Sequence, residues 1–254
     1  MGESMDDKRR RWWGSEAPQA VAGIASHLNS IGFGAATWGE AGTYVAFVCE
    51  AASLQTVIML SAQSDCKFST TFIVRSDYVH QQWQALGLNS CSPANGFGVT
   101  PDNRGMLSSI FGSLAAACGC AAASTNALFP GSDSLSGQTL REWSALFDLL
   151  RPYFVDFFTS EAAVAGFLAD DYPDSLTALL KRPPDSIRAV GFEERYLNAT
   201  LLFKKNRMHS QAQIALARYL DALNEGKTSG KFRASRIDVG MCRFARLTEW
   251  LVAN

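Results

Sequence analysis

Chemistry in a folded chain begins with side chains that can move a proton, hold a metal or carry charge away from water. This sequence offers three histidines, His27, His80 and His209, and six cysteines, Cys49, Cys66, Cys91, Cys118, Cys120 and Cys242. A cysteine hydrolase sets a thiolate beside an imidazole, and the pairing closest to that is Cys49, Cys66 or Cys91 with His80. Each histidine, however, falls in or at the start of a helix-like segment, where a surface or half-buried packing role is the commoner use. Cys118 and Cys120 lie two apart, a spacing that on a helix points them to different faces, so shared metal ligation would require a loop. Asp170, Asp171 and Asp174 could gather a divalent cation, but they flank Pro173 between helical segments, where Asp caps and turns. No metal and no cofactor is expected from these groups.

Known cradles give the same reading. No GxSxG nucleophile elbow occurs, since Gly131 to Gly137 is a serine-rich loop with other spacing. No GxxxxGK[ST] phosphate loop occurs, and Gly96-Phe97-Gly98 lacks the third glycine of a dinucleotide loop.

The basic residues are unevenly placed. Residues 1–127 carry a net −2, residues 128–180 a net −6 and residues 181–254 a net +7, within a chain of 23 Lys+Arg and 24 Asp+Glu. Blocks of opposite sign either neutralise each other in one fold or address different partners. The densest basic group is Arg233, Arg236, Arg243 and Arg246, followed by Trp250. These five are the candidate binding residues, and the partner they suggest is another protein of acidic surface. Nucleic acid is disfavoured because the interleaved Phe232, Ile237, Val239, Met241 and Phe244 read as core, and no helix-turn-helix, RNP or KH signature is present.

What must position these residues is an ordinary globular fold. The chain has 254 residues, 47% hydrophobic and 19% charged, a mixture that can bury a core unaided and excludes disorder, collagen and coiled coil. Val21, Ile24, Ala25, Leu28 and Ile31 make a helical stripe over Ala17 to Ile31, closed by Gly32. Gly34 to Trp38, Thr43 to Cys49, Leu54 to Ala62 and Lys67 to Val74 are short runs rich in Thr, Val, Ile, Phe and Tyr, and predict an antiparallel meander. The run Tyr44 to Cys49 is apolar on both faces and is expected to be a central strand. Asp77 to Leu86 predicts a helix closed by Gly87, and Pro93 to Arg104 a loop. Beyond Pro130 the patterns are helical: Leu140 to Leu150, Phe154 to Leu168, Ser175 to Leu180, then a hairpin of Glu193 to Lys205 and His209 to Asn224. Gly226 to Gly230 reads as a breaker, and Met241 to Val252 as the last helix.

Met106 to Phe129 holds no charged residue, which is long enough to span a bilayer. Its reliance on Ala, Ser, Gly and Cys favours a buried helix in water instead, with small residues every four positions for close packing. At the N-terminus Lys8, Arg9, Arg10 and Arg11 are followed by Trp12, Trp13, Gly14, Ser15, Glu16 and Pro18, which breaks the roughly 7–15 apolar residues of an export signal. Asp6 stands where a myristoylation motif wants Ser or Thr. With no CxxC pair, the cysteines read as reduced thiols in a cytoplasmic protein. The expected organisation is a flexible basic N-terminus over 1–16, an α+β domain over 17–129 and a helical domain over 130–254 packed on it.

The order helix, three or four strands, helix over residues 17–90 resembles the small α/β fold of type III secretion chaperones and related bacterial domains. The likeness lies in Leu28-Asn29-Ser30-Ile31-Gly32-Phe33, Thr43-Tyr44-Val45-Ala46-Phe47-Val48 and Leu54-Gln55-Thr56-Val57-Ile58-Met59-Leu60. That resemblance implies a protein client and a homodimer. The hairpin over 193–224 looks like one tetratricopeptide-type unit, which cannot bury its own apolar face and must dock on the rest of the fold. The expected fold class is α+β, an N-terminal helix and an antiparallel sheet of 3–5 strands followed by a mostly helical C-terminal half. The expected function is a non-catalytic cytoplasmic protein-binding module, a secretion chaperone, adaptor or immunity-type protein. The alternative is a hydrolase or transferase with a Cys/His or carboxylate site of unrecognised form.

Overall fold

The structure is a computed structural model of the chain, and it describes residues 17–38, 44–51, 53–62, 67–91, 105–110, 129–130, 141, 143–145, 147–148, 151, 157–169, 188–189 and 193–253. It is an α+β protein whose first helix leads into an antiparallel sheet and whose C-terminal half is mostly helical. The chain forms two compact units that interleave in sequence: residues 1–74, 107–159 and 174–188 in the first, and 75–106, 160–173 and 189–254 in the second. This differs from the expected sequential division at 129, and the expected 1–16 arm lies outside the described residues.

In the first unit, α1 (Ala17–Ser30) buries Val21, Ile24 and Leu28 on one face. It ends where the stripe predicts: Gly32 takes φ +98°, and the Phe33 amide returns to the Leu28 carbonyl at 3.0 Å, a left-handed cap that a side chain would strain. The sheet contains β1 (Thr37–Trp38), β2 (Tyr44–Ala51), β3 (Leu54–Ala62), β4 (Lys67–Ser76), β5 (Gly105–Ile110), β6 (Phe129–Pro130) and β7 (Arg188–Ala189). Its order is β1-β2-β3-β4-β5-β7, with β6 also paired to β4. β2 and β3 are an antiparallel hairpin in which Val45 faces Leu60, Phe47 faces Ile58 and Cys49 faces Thr56. All but Cys49 of these six are buried, so this face is the core face. β4 continues the alternation with Thr70, Phe72, Val74 and Ser76 buried.

Two expectations about the sheet are corrected. β2 is not central: it lies next to the two-residue β1 near the end of the sheet, and its other face is only half covered, with Tyr44 exposed. The uncharged run from Met106 does not begin as a helix, because Gly105–Ile110 is a strand and Phe129–Pro130 another; residues 111–128 lie outside the described ones. β-branched and alternating small residues suit a strand as readily as a helix when a run is short. Among the described residues no helix is long and apolar enough to cross a membrane.

The helical residues within 141–151 belong to this first unit too. Trp143 and Phe147 stack with ring centroids 5.2 Å apart, Phe33 meets Phe147 edge-on, and Trp143 Nε1 donates to Thr70 Oγ1 at 3.2 Å.

The second unit is built around α4 (Glu194–Lys205), whose residues Tyr196 to Phe203 are all buried. A helix apolar or satisfied all round is a core element. Packed on it are α2 (Asp77–Ala85), α3 (Glu161–Leu168) and α5 (His209–Thr228). Ser76 caps α2 by accepting from the Val79 amide. The expected helix Phe154 to Leu168 breaks instead into a 3-10 turn, Phe157–Thr159, and α3.

The last helix, α6 (Ala234–Ala253), packs on α5 and on the 3-10 turn Leu88–Cys91. It begins seven residues earlier than the sequence pattern suggests. The expected breaker Gly226 to Gly230 is likewise short, since α5 runs through Gly226 to Thr228. Gly226 stays helical because Phe232 lies directly over its Cα and the Phe232 amide donates to its carbonyl at 3.0 Å.

Candidate functional site

At about 100° per residue, α6 turns three kinds of residue in three directions. Gly240, Arg243 and Leu247, spaced three and four apart, are buried toward the unit's core. Gly240 is there because a Cβ would lie 2.5 Å from a Leu223 methyl of α5. That contact brings the two helices close enough for the arginines on either side to reach their acceptors.

Arg243 is 8% exposed. Its Nε donates to the Leu88 carbonyl at 3.1 Å, its Nη1 to Glu194 at 2.7 Å, and its guanidinium lies 4.8 Å from the centre of the Trp83 ring. Trp83 in turn donates to Asn198 Oδ1 at 2.8 Å. Arg236 holds the buried Glu193 in a two-pronged pair, Nε to Oε1 at 2.6 Å and Nη2 to Oε2 at 2.7 Å. That hydrogen bonding raises the arginine's pKa further against the opposing effect of burial. Arg246 donates to the Gly87 carbonyl, to the Leu86 carbonyl at 3.3 Å and to Ser90 Oγ at 3.0 Å. Carbonyls at the end of α2 have no helical partner, so a cation there both satisfies them and complements the helix dipole. Beside this clamp, Cys91 and Cys242 form a disulfide with Cα atoms 5.8 Å apart. The expectation of reduced thiols is therefore corrected for these two, and Cys91 has no thiol to offer a hydrolase.

The Tyr219 hydroxyl is buried among these charges. Burial raises its pKa most, Arg243 opposes, and Glu193 and Glu194 add to the rise. No hydrogen-bond partner meets it at ordinary geometry.

Of the five candidate binding residues, then, Arg236, Arg243 and Arg246 are spent on internal acceptors. Trp250 is half-buried with Lys204 Nζ 5.9 Å from its ring. Arg233 is exposed, at the N-cap of α6, where its carbonyl accepts from Ile237 at 3.2 Å. Its side chain makes no hydrogen bond or ion pair among the described residues.

The outward direction of α6 was missed by sequence reasoning. Met241 is 42% and Val252 84% exposed, Ala234, Ala245 and Thr248 are exposed, and Ile237, Phe244 and Leu251 are only half-buried. Met241 was expected in the core because an apolar residue among arginines reads as the dry face. The signal that could have found this surface is the period: two apolar stripes on one helix, of which a single core can take one.

Elsewhere, His27 Nε2 meets Asp148 Oδ1 at 3.0 Å in the first unit, with its ring edge-on to Trp143 and Phe147. This is a pair held between α1 and an aromatic stack. His80 contacts Gln84 at 3.1 Å within α2, and His209 is exposed at the start of α5. Lys205 pairs with Glu161 at 2.5 Å and lies over Tyr78. Cys66, Cys118, Cys120, Asp170, Asp171 and Asp174 lie outside the described residues. Among those described, no three His, Cys, Asp or Glu side chains converge as a metal would require.

The fold and surface define a two-unit α+β protein whose last helix is braced on one side and uncovered on the other. No protein-family model, no curated protein and no solved structure matches the chain.

Proposed function

We propose that this chain is a non-catalytic protein-binding module that meets its partner through the outward face of α6. The observation that carries this reading is the uncovered stripe on α6, with Met241 at 42% and Val252 at 84% exposure on a helix whose arginines point the other way. A cluster of exposed apolar side chains on a rigid helix marks a contact surface, and an amphipathic helix face is a standard element for docking against a helix or into a groove. The expected acidic partner finds little support at this surface, because Arg236, though exposed, is already paired with Glu193, and Arg233 is the one arginine of the four without an internal acceptor among the described residues. A cytoplasmic chaperone, adaptor or immunity-type role is the form of this reading that the secretion-chaperone resemblance suggests.

The test is a photo-crosslinking amino acid placed at Val252, or at the exposed Gln213 of α5, in the full chain in its native cells. A discrete adduct at Val252, absent at Gln213 and lost with Met241→Asp, is the expected result. No adduct, or adducts indifferent to position and to Met241→Asp, overturns the proposal.

A further inference from the structure

We infer that the partner on the outward face of α6 is α6 of a second copy of this chain, the two helices running parallel about a two-fold axis. The inference rests on reading that face as a protein-binding surface and names its occupant.

The first observation is spacing. Ala234, Ile237, Met241, Phe244, Thr248 and Leu251 recur at alternating intervals of three and four. That is the 3.5-residue repeat along which two helices supercoil, each side chain entering a hole between four of its neighbour's. The stripe is separate from the one that α6 spends on its own unit, Gly240, Arg243 and Leu247. Ala234, Met241 and Thr248 are exposed, and Ile237, Phe244 and Leu251 half-buried. From Ala234 to Leu251 the stripe is about 26 Å long. A strand has period two and cannot follow it; another helix can.

The second observation is charge. In a parallel helix pair, the residue just before each seam position of the first kind faces, on the other helix, the residue five further along. Here those border pairs are Arg233 with Asp238, Gly240 with Ala245 and Leu247 with Val252. Arg233 and Asp238 are both exposed, and neither has an ion-pair partner among the described residues. Parallel pairing brings Arg233 of each copy to Asp238 of the other, twice by symmetry. Gly240 is packed against Leu223 of its own unit, so at the second step the exposed Ala245 alone borders the seam. Leu247 already belongs to the core, so the last step is carried by Val252 and Leu251. Antiparallel pairing would set Asp238 against Val252 and leave the carboxylate without a cation. Because α6 is already folded on its unit, association does not have to supply the entropy of forming it.

Sedimentation equilibrium of the full chain tests this. The expected species is a dimer. Arg233→Asp and Asp238→Arg each raise the dimer Kd by about threefold to tenfold, and the double exchange restores it to within about twofold. Both sites are exposed, so unchanged circular dichroism and melting confirm that the variants remain folded. Met241→Asp gives a monomer of unchanged circular dichroism, whose melting matches that of the parent diluted to its monomeric form. Register is read with Cys49, Cys66, Cys118 and Cys120 replaced by Ser. In that background, oxidation of Met241→Cys alone, or of Thr248→Cys alone, links two copies. A link formed only when the two variants are mixed means antiparallel packing and overturns the inference, as does a double exchange that fails to restore the dimer. A monomer whose Val252 crosslinker captures a different chain overturns the second copy while leaving the protein-binding reading intact. A monomer that captures nothing overturns both.

Discussion

Arg243 and Arg236 stand where an exposed-looking charge in the sequence becomes a buried tie. Arg243 neutralises Glu194 while satisfying the Leu88 carbonyl, and Arg236 is, among the described residues, the ion-pair partner of a Glu193 side chain that is 5% exposed. Removing Arg236 leaves the nearly buried Glu193 carboxylate without its cation, and removing Arg243 leaves the buried Leu88 carbonyl without its side-chain donor and the one-third-exposed Glu194 without its cation, losses of about 1–5 kcal/mol. Arg243→Ala and Arg236→Ala are therefore expected to lower the urea midpoint strongly, while Arg233→Ala stays within about 0.5 kcal/mol of the parent. Equal midpoints for all three would remove the bracing role. Tyr219 gives a pH-dependent companion. Burial holds its hydroxyl protonated and lifts its pKa above the usual 10.0, so the unfolded chain ionises first as pH rises. The associated stability is complete below about pH 10 and is lost progressively above it. Tyr219→Phe should flatten that alkaline loss in denaturation curves taken between pH 8 and about 11. At neutral pH the same variant should melt within about 1 kcal/mol of the parent, because the hydroxyl removed has no hydrogen-bond partner of ordinary geometry.

At the scale of elements, the end of α2 shows how a helix stop becomes a docking point. Gly87 takes φ +61°, and a Cβ there would run into the Arg246 guanidinium and lie 3.2 Å from Ser90 Oγ. Gly87→Ala should destabilise by about 1–2 kcal/mol from the left-handed backbone alone, with a further loss from displacing Arg246. Arg246→Ala in the same chain should remove that further loss, so a double-mutant cycle reads the coupling directly; strict additivity would contradict the clamp. This stop was legible in the sequence, as were α1 with Gly32, β3 and the hairpin α4–α5, because each combines an apolar period with a local terminator. The start of α6 and the continuation of α5 through Gly226 were not. Glycine is a poor helix former by itself, and what keeps Gly226 helical is Phe232 closing over it from outside the helix. The direction of the arginines was hidden for the same reason. Their acceptors lie between 43 and 160 residues away in sequence, and nothing near Arg236 or Arg246 reports a carboxylate or a bare helix end. The sheet was legible as alternation, but β2's place near its margin depends on a partner strand of only two residues, too short to carry a pattern of its own.

For the whole molecule, the connectivity of the two units gives the Cys91–Cys242 bond an uncommon span. The bridge joins two parts of the second unit that are 151 residues apart, and the loop it closes contains residues 107–159 and 174–188 of the first unit. In the unfolded chain such a long closed loop loses considerable freedom, and a native bridge of this kind contributes about 2–4 kcal/mol to the unit that it closes. In the folded state the Leu88–Cys91 turn has a second attachment, since Arg243 and Arg246 bond to Leu88, Leu86, Gly87 and Ser90 whether or not the sulfurs are joined. Reduction should therefore weaken the second unit without releasing the turn in its native state. Hydrogen exchange read by mass spectrometry separates these effects. With reductant present, amides of α4, α5 and α6 should exchange faster through global opening of their unit, whereas those of the β2–β3 hairpin should keep their protection. Cys242→Ser should reproduce the pattern without reductant. Equal loss of protection in both units would mean that their stabilities are linked, and fast exchange confined to residues 88–91 would mean that the disulfide alone, not the arginines, holds the turn.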